Sequence, residues 1–414
     1  MINYQSVILD NGLKVLVHED ASTPTAVVNI LYNVGSKDEN EQKTGFAHLF
    51  EHLMFGGSKN VSSFDKYLEK VGGENNAFTS PDITNYYITL PAVNLETAFW
   101  LESDRMLGLS FDPKVLEVQR NVVIEEFKQR YLNQPYGDVW LKLRPLAYQV
   151  HPYKWATIGK EISHIENATM EDVKAFFYKF YTPNNAILVV AGGIKFEEVK
   201  KLAEKWFGSI KRGEDYKRDL PVEPRQMEAR ILDVSAKVPL NAIYRTYHMV
   251  AKDHADYWAT DLISDILGRG KSSRLYEALV KKKEIFNSIN AYVTGSVEPG
   301  LVVVGGTLNQ GISVEQGDEE VGRVIEQLVQ GGITKEELVK VKNQAEASHV
   351  FDEMELTGRA LNLAIATLMG NPDLVNQEAA KIASVSIEDT KRLIPAVFKK
   401  ENSCTLYYRA EGKQ

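Results

Sequence analysis

The stretch "ATMEDVKAFFYKFYTPNNAILVVAGG", residues 168–193, comes back in altered form as "VSIEDTKRLIPAVFKKENSCTLYYRA" at 385–410. Glu171-Asp172 falls on Glu388-Asp389, Lys174 on Lys391 and Asn185 on Asn402, all in one register. Each copy reads as a helix, a polar loop and a strand. Each also closes one half of a 414-residue chain, a length that predicts two domains rather than one core. The repeat therefore predicts a tandem duplication of units of about 200 residues, an ordinary domain size. Between them "KRGEDYKRDLPVEPRQ" (211–226) is charged and carries two prolines, which suits a linker. The expected division is 1–212, a linker at 213–227, and 228–414.

Outward from the repeat, the chain opens with "QSVILDNGLKVLVHED", two alternating apolar runs around Asn11-Gly12, a hairpin signal. "TAVVNILYNVG" reads as a third strand. "NNAFTSPDITNYYITLP" reads as two strands joined at Pro81-Asp82. Helical periodicity is expected at about 45–55, through "SFDKYLEKVG", and at about 92–107, 113–132 and 137–149.

The composition, 44% hydrophobic and 25% charged, is that of a globular protein. A net charge of −8 argues against nucleic acid as a partner. No apolar run is long enough for a membrane span, and the N-terminus lacks the pattern of a signal peptide. The single cysteine, Cys404, sits in a strand-like "SCTLYY" and reads as a buried thiol. These features together lead to an expected cytoplasmic location.

"TGFAHLFEHLMFGG" (44–57) places two histidines and a glutamate inside an apolar helix. Buried polar groups of this kind need partners. His48 and His52, four apart, share one helix face and can present both imidazoles to a single ion, typically zinc. Glu51 lies beside them and can reach a water at the metal. The pattern is His-x-x-Glu-His, the inverse of the common zinc-protease order. In the register of the repeat, His48 falls on Asp265, Glu51 on Gly268 and His52 on Arg269. The second half thus keeps the apolar spacing and drops the trio, which points to chemistry rather than folding.

A third protein ligand is needed. In "VLEVQRNVVIEEFKQRYL" (115–132), an apolar stripe is expected through Val115, Leu116, Val122, Val123 and Phe127. Glu126 points into that stripe, whereas Glu125 turns toward Asn121, Lys128 and Gln129 on the solvent side. Glu126 is therefore the expected ligand. Gln119, seven residues earlier on the same face, is placed to orient a ligand. His18, His151, His164, His248, His254 and His349 have no partner at ligand spacing and read as structural.

"HLFEH" (48–52), followed by "QRNVVIEE" (119–126) with 73 residues between His52 and Glu126, resembles the inverted zincins that include pitrilysin, insulysin and mitochondrial processing peptidase. The resemblance runs through "GGENNAFTSPDITNYY", "NQPYG", "YTPNNAILVVAG" and "SSRLYEALV", nearly the whole chain. It implies an α+β fold of two duplicated α/β domains, each a mostly antiparallel sheet packed with helices. It implies one Zn2+ per chain on His48, His52 and Glu126, with Glu51 as general base of a metalloendopeptidase. It places Asn76, Ala77 and Phe78 on an edge strand where an extended peptide adds by β-augmentation.

Active relatives also use an arginine and a tyrosine from the second half. Here the corresponding run is "LVKKKEIFNSINAY" (279–292), with Lys281 near the arginine position and Asn287 near the tyrosine position. Lysine lacks the planar fork of arginine. Arg274 and Tyr276 come too early and read as packing and surface charge. The expectation is the zinc-bearing half of a heterodimer whose paralogous partner supplies both groups, a homodimer being the other arrangement. A non-catalytic scaffold, like the family's core subunits of respiratory complexes, is the alternative class. Such members lose the metal motif that this chain keeps.

Overall fold

Asn11-Gly12 turns the chain as expected. In the computed structural model, which describes residues 1–412, β1 (Gln5–Ile8) and β2 (Lys14–Glu19) pair antiparallel with Ile8 opposite Lys14. β3 (Thr25–Tyr32), β4 (Glu74–Thr79), β5 (Thr84–Pro91) and β6 (Ala186–Gly192) complete a six-stranded sheet in the order β1-β2-β6-β3-β5-β4. β4 is therefore an edge strand. The second sheet has β7 (Arg230–Ala236), β8 (Ala242–His248), β9 (Phe286–Val293), β10 (Leu301–Leu308) and β11 (Ser403–Ala410), in the order β7-β11-β8-β10-β9.

The two orders are the same once the β1 hairpin arm is set aside. In each sheet one pair is parallel, β2 with β6 and β7 with β11, and the others are antiparallel. The α+β fold of two related domains is thus present as expected.

The matched polar residues of the repeat are helix caps. Thr169 and Asp172 form a capping box at the Met170–Phe180 helix, and Ser386 and Asp389 form one at the Ile387–Val397 helix. At the far ends, Asn185 donates to the Phe180 carbonyl and Asn402 to the Val397 carbonyl, both at 2.8 Å. These bonds satisfy last-turn carbonyls that a helix leaves unpaired.

The compact units differ from the continuous division expected at 1–212 and 228–414. Unit 1 is Met1–Lys128, Trp155–Leu220 and Val350–Gln377, and unit 2 is Gln129–Lys154, Pro221–His349 and Glu378–Gln414. Each half lends the other a helix. In unit 1, Ala360, Leu363 and Ala364 of the Leu356–Leu368 helix pack on Ile187, Val189 and Ala191 of β6. In unit 2, the Val139–Ala147 helix packs through Val139, Leu143 and Ala147 on the face of β11 that shows Cys404, Leu406 and Tyr408. In the register of the repeat these strand positions correspond one to one. The repeat reports how the chain was duplicated, while burial decides which sheet each helix covers, and the two need not agree.

Candidate metal centre

The Phe46–Leu53 helix begins at Gly45, whose φ of +86° lies in the left-handed region. A Cβ there would meet the Ile158 carbonyl oxygen at 2.6 Å, so glycine is required twice over. Glu39 caps the helix, accepting from Gly45 N–H at 2.9 Å and Ala47 N–H at 2.8 Å. This places a carboxyl against the positive end of the helix. Burial pushes that carboxyl up to about 8, against the pull of the two backbone donors. Phe46, Ala47, Leu49, Phe50 and Leu53 are buried, and Phe50 stacks on Phe176 and Tyr181 at 4.8 and 5.3 Å. The remaining face carries His48, Glu51 and His52, all half-buried.

The Pro113–Phe127 helix starts with Asp112 accepting from Lys114 N–H at 2.8 Å. Its buried side is Leu116, Val123, Ile124 and Phe127. Val122 was expected in this stripe but is 44% exposed. It lies about 100° round the helix from Val123, on the side away from Ile124, so the stripe is narrower than the sequence implied. Glu126 still turns inward. Its Oε2 lies 3.6 Å from His48 Nε2 and 3.4 Å from His52 Nε2. Glu125 is exposed and pairs with Lys128 at 2.8 Å.

One ligand atom from each of His48, His52 and Glu126 lies within 4.8 Å of the other two, and this is the one such group among the described residues. Ligands about 2.0–2.2 Å from a tetrahedral zinc stand roughly 3.3–3.6 Å apart. The carboxylate-to-imidazole distances fall in that range. Two imidazoles and a carboxylate, partly open to solvent, also make the donor set of a zinc site that keeps a position for water. The residues fit the ion. Gln119 is half-buried two turns before Glu126.

β4 runs beside the helix. It pairs with β5 from Glu74 opposite Thr89 to Thr79 opposite Thr84, and among the described residues no strand is paired on its other side. Side chains alternate across it. Phe78 packs on the face covered by the Leu356–Leu368 helix. Asn76 is exposed, and its Oδ1 accepts from the Ala77 N–H at 2.8 Å, blunting the edge with a local bond. Thr79 Oγ1 donates to Glu51 Oε2 at 2.6 Å.

In unit 2, Lys281 and Asn287 are both exposed, and Lys281 pairs with Glu277 at 2.9 Å. Arg274 is taken up by Glu337 and the Gly332 carbonyl, as expected of a packing residue. Three of the other histidines hold backbone or side-chain neighbours. His18 meets the Asn3 carbonyl, His164 meets Thr44, and His248 meets the Ala147 carbonyl.

Residues 14–159 match the family model described as insulinase, peptidase family M16, and residues 167–345 match the peptidase M16 inactive domain. The zinc protease PqqE of Helicobacter pylori is 32% identical over 416 residues, covering 98% of this chain and 93% of its own. The chain belongs to the M16 peptidase family. A probable mitochondrial-processing peptidase subunit beta from Schizosaccharomyces pombe is 28% identical over 312 residues, 72% of this M16 chain and 67% of its own length. Among solved structures, a protease from Helicobacter pylori superposes with a TM-score of 0.92 at 31% identity, over 99% of this chain and 100% of that one. Pitrilysin shares the fold, with a TM-score of 0.77 at 20% identity, over 99% of this chain and 45% of its own. The inactive-type match begins at residue 167, after His-x-x-Glu-His, and runs into the second half as far as residue 345. No helix of this M16 chain, among the described residues, is long and apolar enough to cross a membrane.

Two residues at this M16 site escaped the sequence reading. Thr79 was within reach, because strand alternation puts it on the same face as Ala77. Glu39 carried no local signal, since its partners are six and eight residues on, beyond a turn.

Proposed function

We propose that this chain is a zinc metalloendopeptidase acting on peptides or unfolded polypeptides, and that it works as the zinc-bearing half of a heterodimer. The observation that carries the reading is the convergence of His48, His52 and Glu126 beside Glu51 and the unpaired edge of β4. Zinc held by these three side chains supplies Lewis acidity, polarising the scissile carbonyl and easing deprotonation of water. Glu51 takes the proton of the attacking water on its carboxylate and delivers it to the leaving nitrogen. The backbone of Asn76, Ala77 and Phe78 docks the extended substrate by strand addition, which reads main chain rather than side chains and suits broad recognition. The Asn76 side chain swings off the Ala77 N–H as the peptide arrives. Gln119 is retained as a residue that orients the ligands once the ion is in place.

The heterodimer reading rests on the residues at the two second-half positions. Exposed Lys281, held by Glu277, and exposed Asn287 cannot reproduce a guanidinium fork and a phenol. A relative named as a subunit, the processing peptidase beta chain, supports the same arrangement. The missing pair then comes from a paralogous partner.

The purified chain tests the reading through two measurements. Elemental analysis is expected to give one zinc per chain, and a metal-free chain after zinc incubation would favour the scaffold alternative. Cleavage of an unstructured peptide is expected to be weak alone and to rise on adding the paralogue. Full activity of the lone chain would overturn the heterodimer. Glu126→Ala should lower zinc affinity at least about tenfold, while Glu125→Ala should leave it unchanged. The opposite ranking would move the ligand to Glu125.

A further inference from the structure

We propose that Thr79 is a positioning residue that fixes the Glu51 carboxylate through its hydroxyl, tying the catalytic base to the strand on which the peptide docks. The inference rests on the peptidase reading above and adds a role to a residue outside the metal set.

A glutamate side chain has three rotatable bonds, and a general base works only within hydrogen-bond reach of the proton it takes. Helix geometry alone sets the Cβ of Glu51, not its carboxylate. The structure supplies one further constraint from outside the helix. Thr79 Oγ1 lies 2.6 Å from Glu51 Oε2, and a hydroxyl facing an ionised carboxylate must be the donor. One oxygen is thereby committed to Thr79, which restricts how the carboxyl group can turn. A charge-assisted bond of this length is among the stronger kinds.

The donor is itself held. Thr79 is the last residue of β4, and the turn behind it is tied on several sides. Ser80 N–H donates to the Ile83 carbonyl at 2.8 Å, and Ser80 Oγ accepts from Asp82 N–H and Ile83 N–H at 3.1 and 3.0 Å. Lys37 Nζ pairs with Asp82 at 2.9 Å, with both side chains nearly buried. Lys37 N–H also donates to the Pro81 carbonyl at 3.0 Å and Ser36 N–H to the Ser80 carbonyl at 3.2 Å. Gly35 permits this approach, since a Cβ there would meet the Pro81 carbonyl oxygen at 2.4 Å. A threonine anchored in this way presents its hydroxyl with little freedom left to lose, which is the condition for preorganisation.

The consequence is a link between docking and chemistry. The free edge of β4 takes the substrate backbone at 76–78, and the next residue on the same strand aims the base. Thr79 sits on the inner face rather than on the docking edge, so its loss should affect turnover and not affinity.

The test is a set of substitutions at position 79 in the active assembly, with zinc content, kcat and KM on an unstructured peptide as readouts. Thr79→Val, which keeps shape and removes the hydroxyl, is expected to lower kcat about 10- to 100-fold, the range for a displaced catalytic group. KM should stay within about twofold and zinc at one per chain. Thr79→Ser, which restores the donor, is expected to recover kcat to within about threefold. Thr79→Ala serves where the valine chain fails to fold. A crystal structure of Thr79→Val or Thr79→Ala is expected to show the Glu51 carboxylate turned away, with His48, His52 and Glu126 in place. Wild-type kcat in Thr79→Val, no rescue by serine, or an unmoved carboxylate would each overturn the proposal. An active Glu51→Gln enzyme would instead sink the peptidase reading. A chain that cleaves nothing still leaves the crystallographic position of Glu51 to decide the role of Thr79.

Discussion

Glu51→Gln is expected to keep its zinc and lose peptide turnover by about 10²- to 10⁴-fold, the usual contribution of a general base. The substitution is nearly isosteric. An amide oxygen can still accept the Thr79 hydroxyl, which now donates at 2.6 Å, so the side chain has reason to stay where it is. The buried flanks of the helix, Phe46, Leu49, Phe50 and Leu53, are untouched. Glutamine cannot accept the proton of the attacking water, and this is the one capacity removed. The loss should therefore appear in kcat, with KM and zinc content near wild type. Turnover within tenfold of wild type would mean that another group takes the proton.

The largest stability effect is expected from Glu102→Ala. Glu102 and Arg105 lie one turn apart on the Leu95–Leu107 helix, and their side chains are 0% and 1% exposed. Arg105 donates to both carboxylate oxygens, Nε at 2.7 Å and Nη2 at 2.5 Å. Its guanidinium lies over the rings of Tyr86, Phe64 and Phe55 at 4.3, 4.6 and 5.5 Å. Burial pushes the Glu102 carboxyl up, and the guanidinium opposes that shift. Removing the carboxylate leaves a cation in an aromatic cage without its counter-ion, at a cost of about 3–5 kcal/mol. The denaturant midpoint should drop accordingly. Replacing both partners together, as Glu102→Leu with Arg105→Met, should recover most of the loss, because an apolar pair of similar volume is often neutral. A loss below about 1 kcal/mol in the single variant would show that water reaches the guanidinium. The effect should also touch the site, since Phe55 follows His52 by three residues. Tyr86 meets Tyr181 at 3.3 Å, and the Glu51 charge adds to burial in keeping both phenols protonated.

The sequence was informative wherever a local rule was enough. The Asn11-Gly12 hairpin, the strands either side of Pro81-Asp82, and the pairing of His48 with His52 all follow from spacing within a few residues. Glu126 was reachable from its helix face even though Val122 was misplaced, because an error of one position at the margin of an apolar stripe still leaves the inward flank defined. Thr79 and Glu39 act across turns, and their partners exist only once β4, the glycine at 45 and the metal helix are assembled. The exchange of helices was the least accessible feature. Amphipathic periodicity says that the Val139–Ala147 and Leu356–Leu368 helices each bury a face, but not against which of two similar sheets.

That exchange sets a timetable for synthesis. The last strand of the first sheet, β6, ends at Gly192, yet the helix that covers its apolar face begins at Leu356. At typical translation rates the interval is roughly ten to thirty seconds. Throughout it Val27, Leu31, Val189 and the ring of Phe78 have no cover from the residues that pack on them in the finished protein. The first sheet is therefore among the first parts to be made, and one of its faces is among the last to be covered. A ribosome must finish most of the second half before that face of the first sheet is sealed.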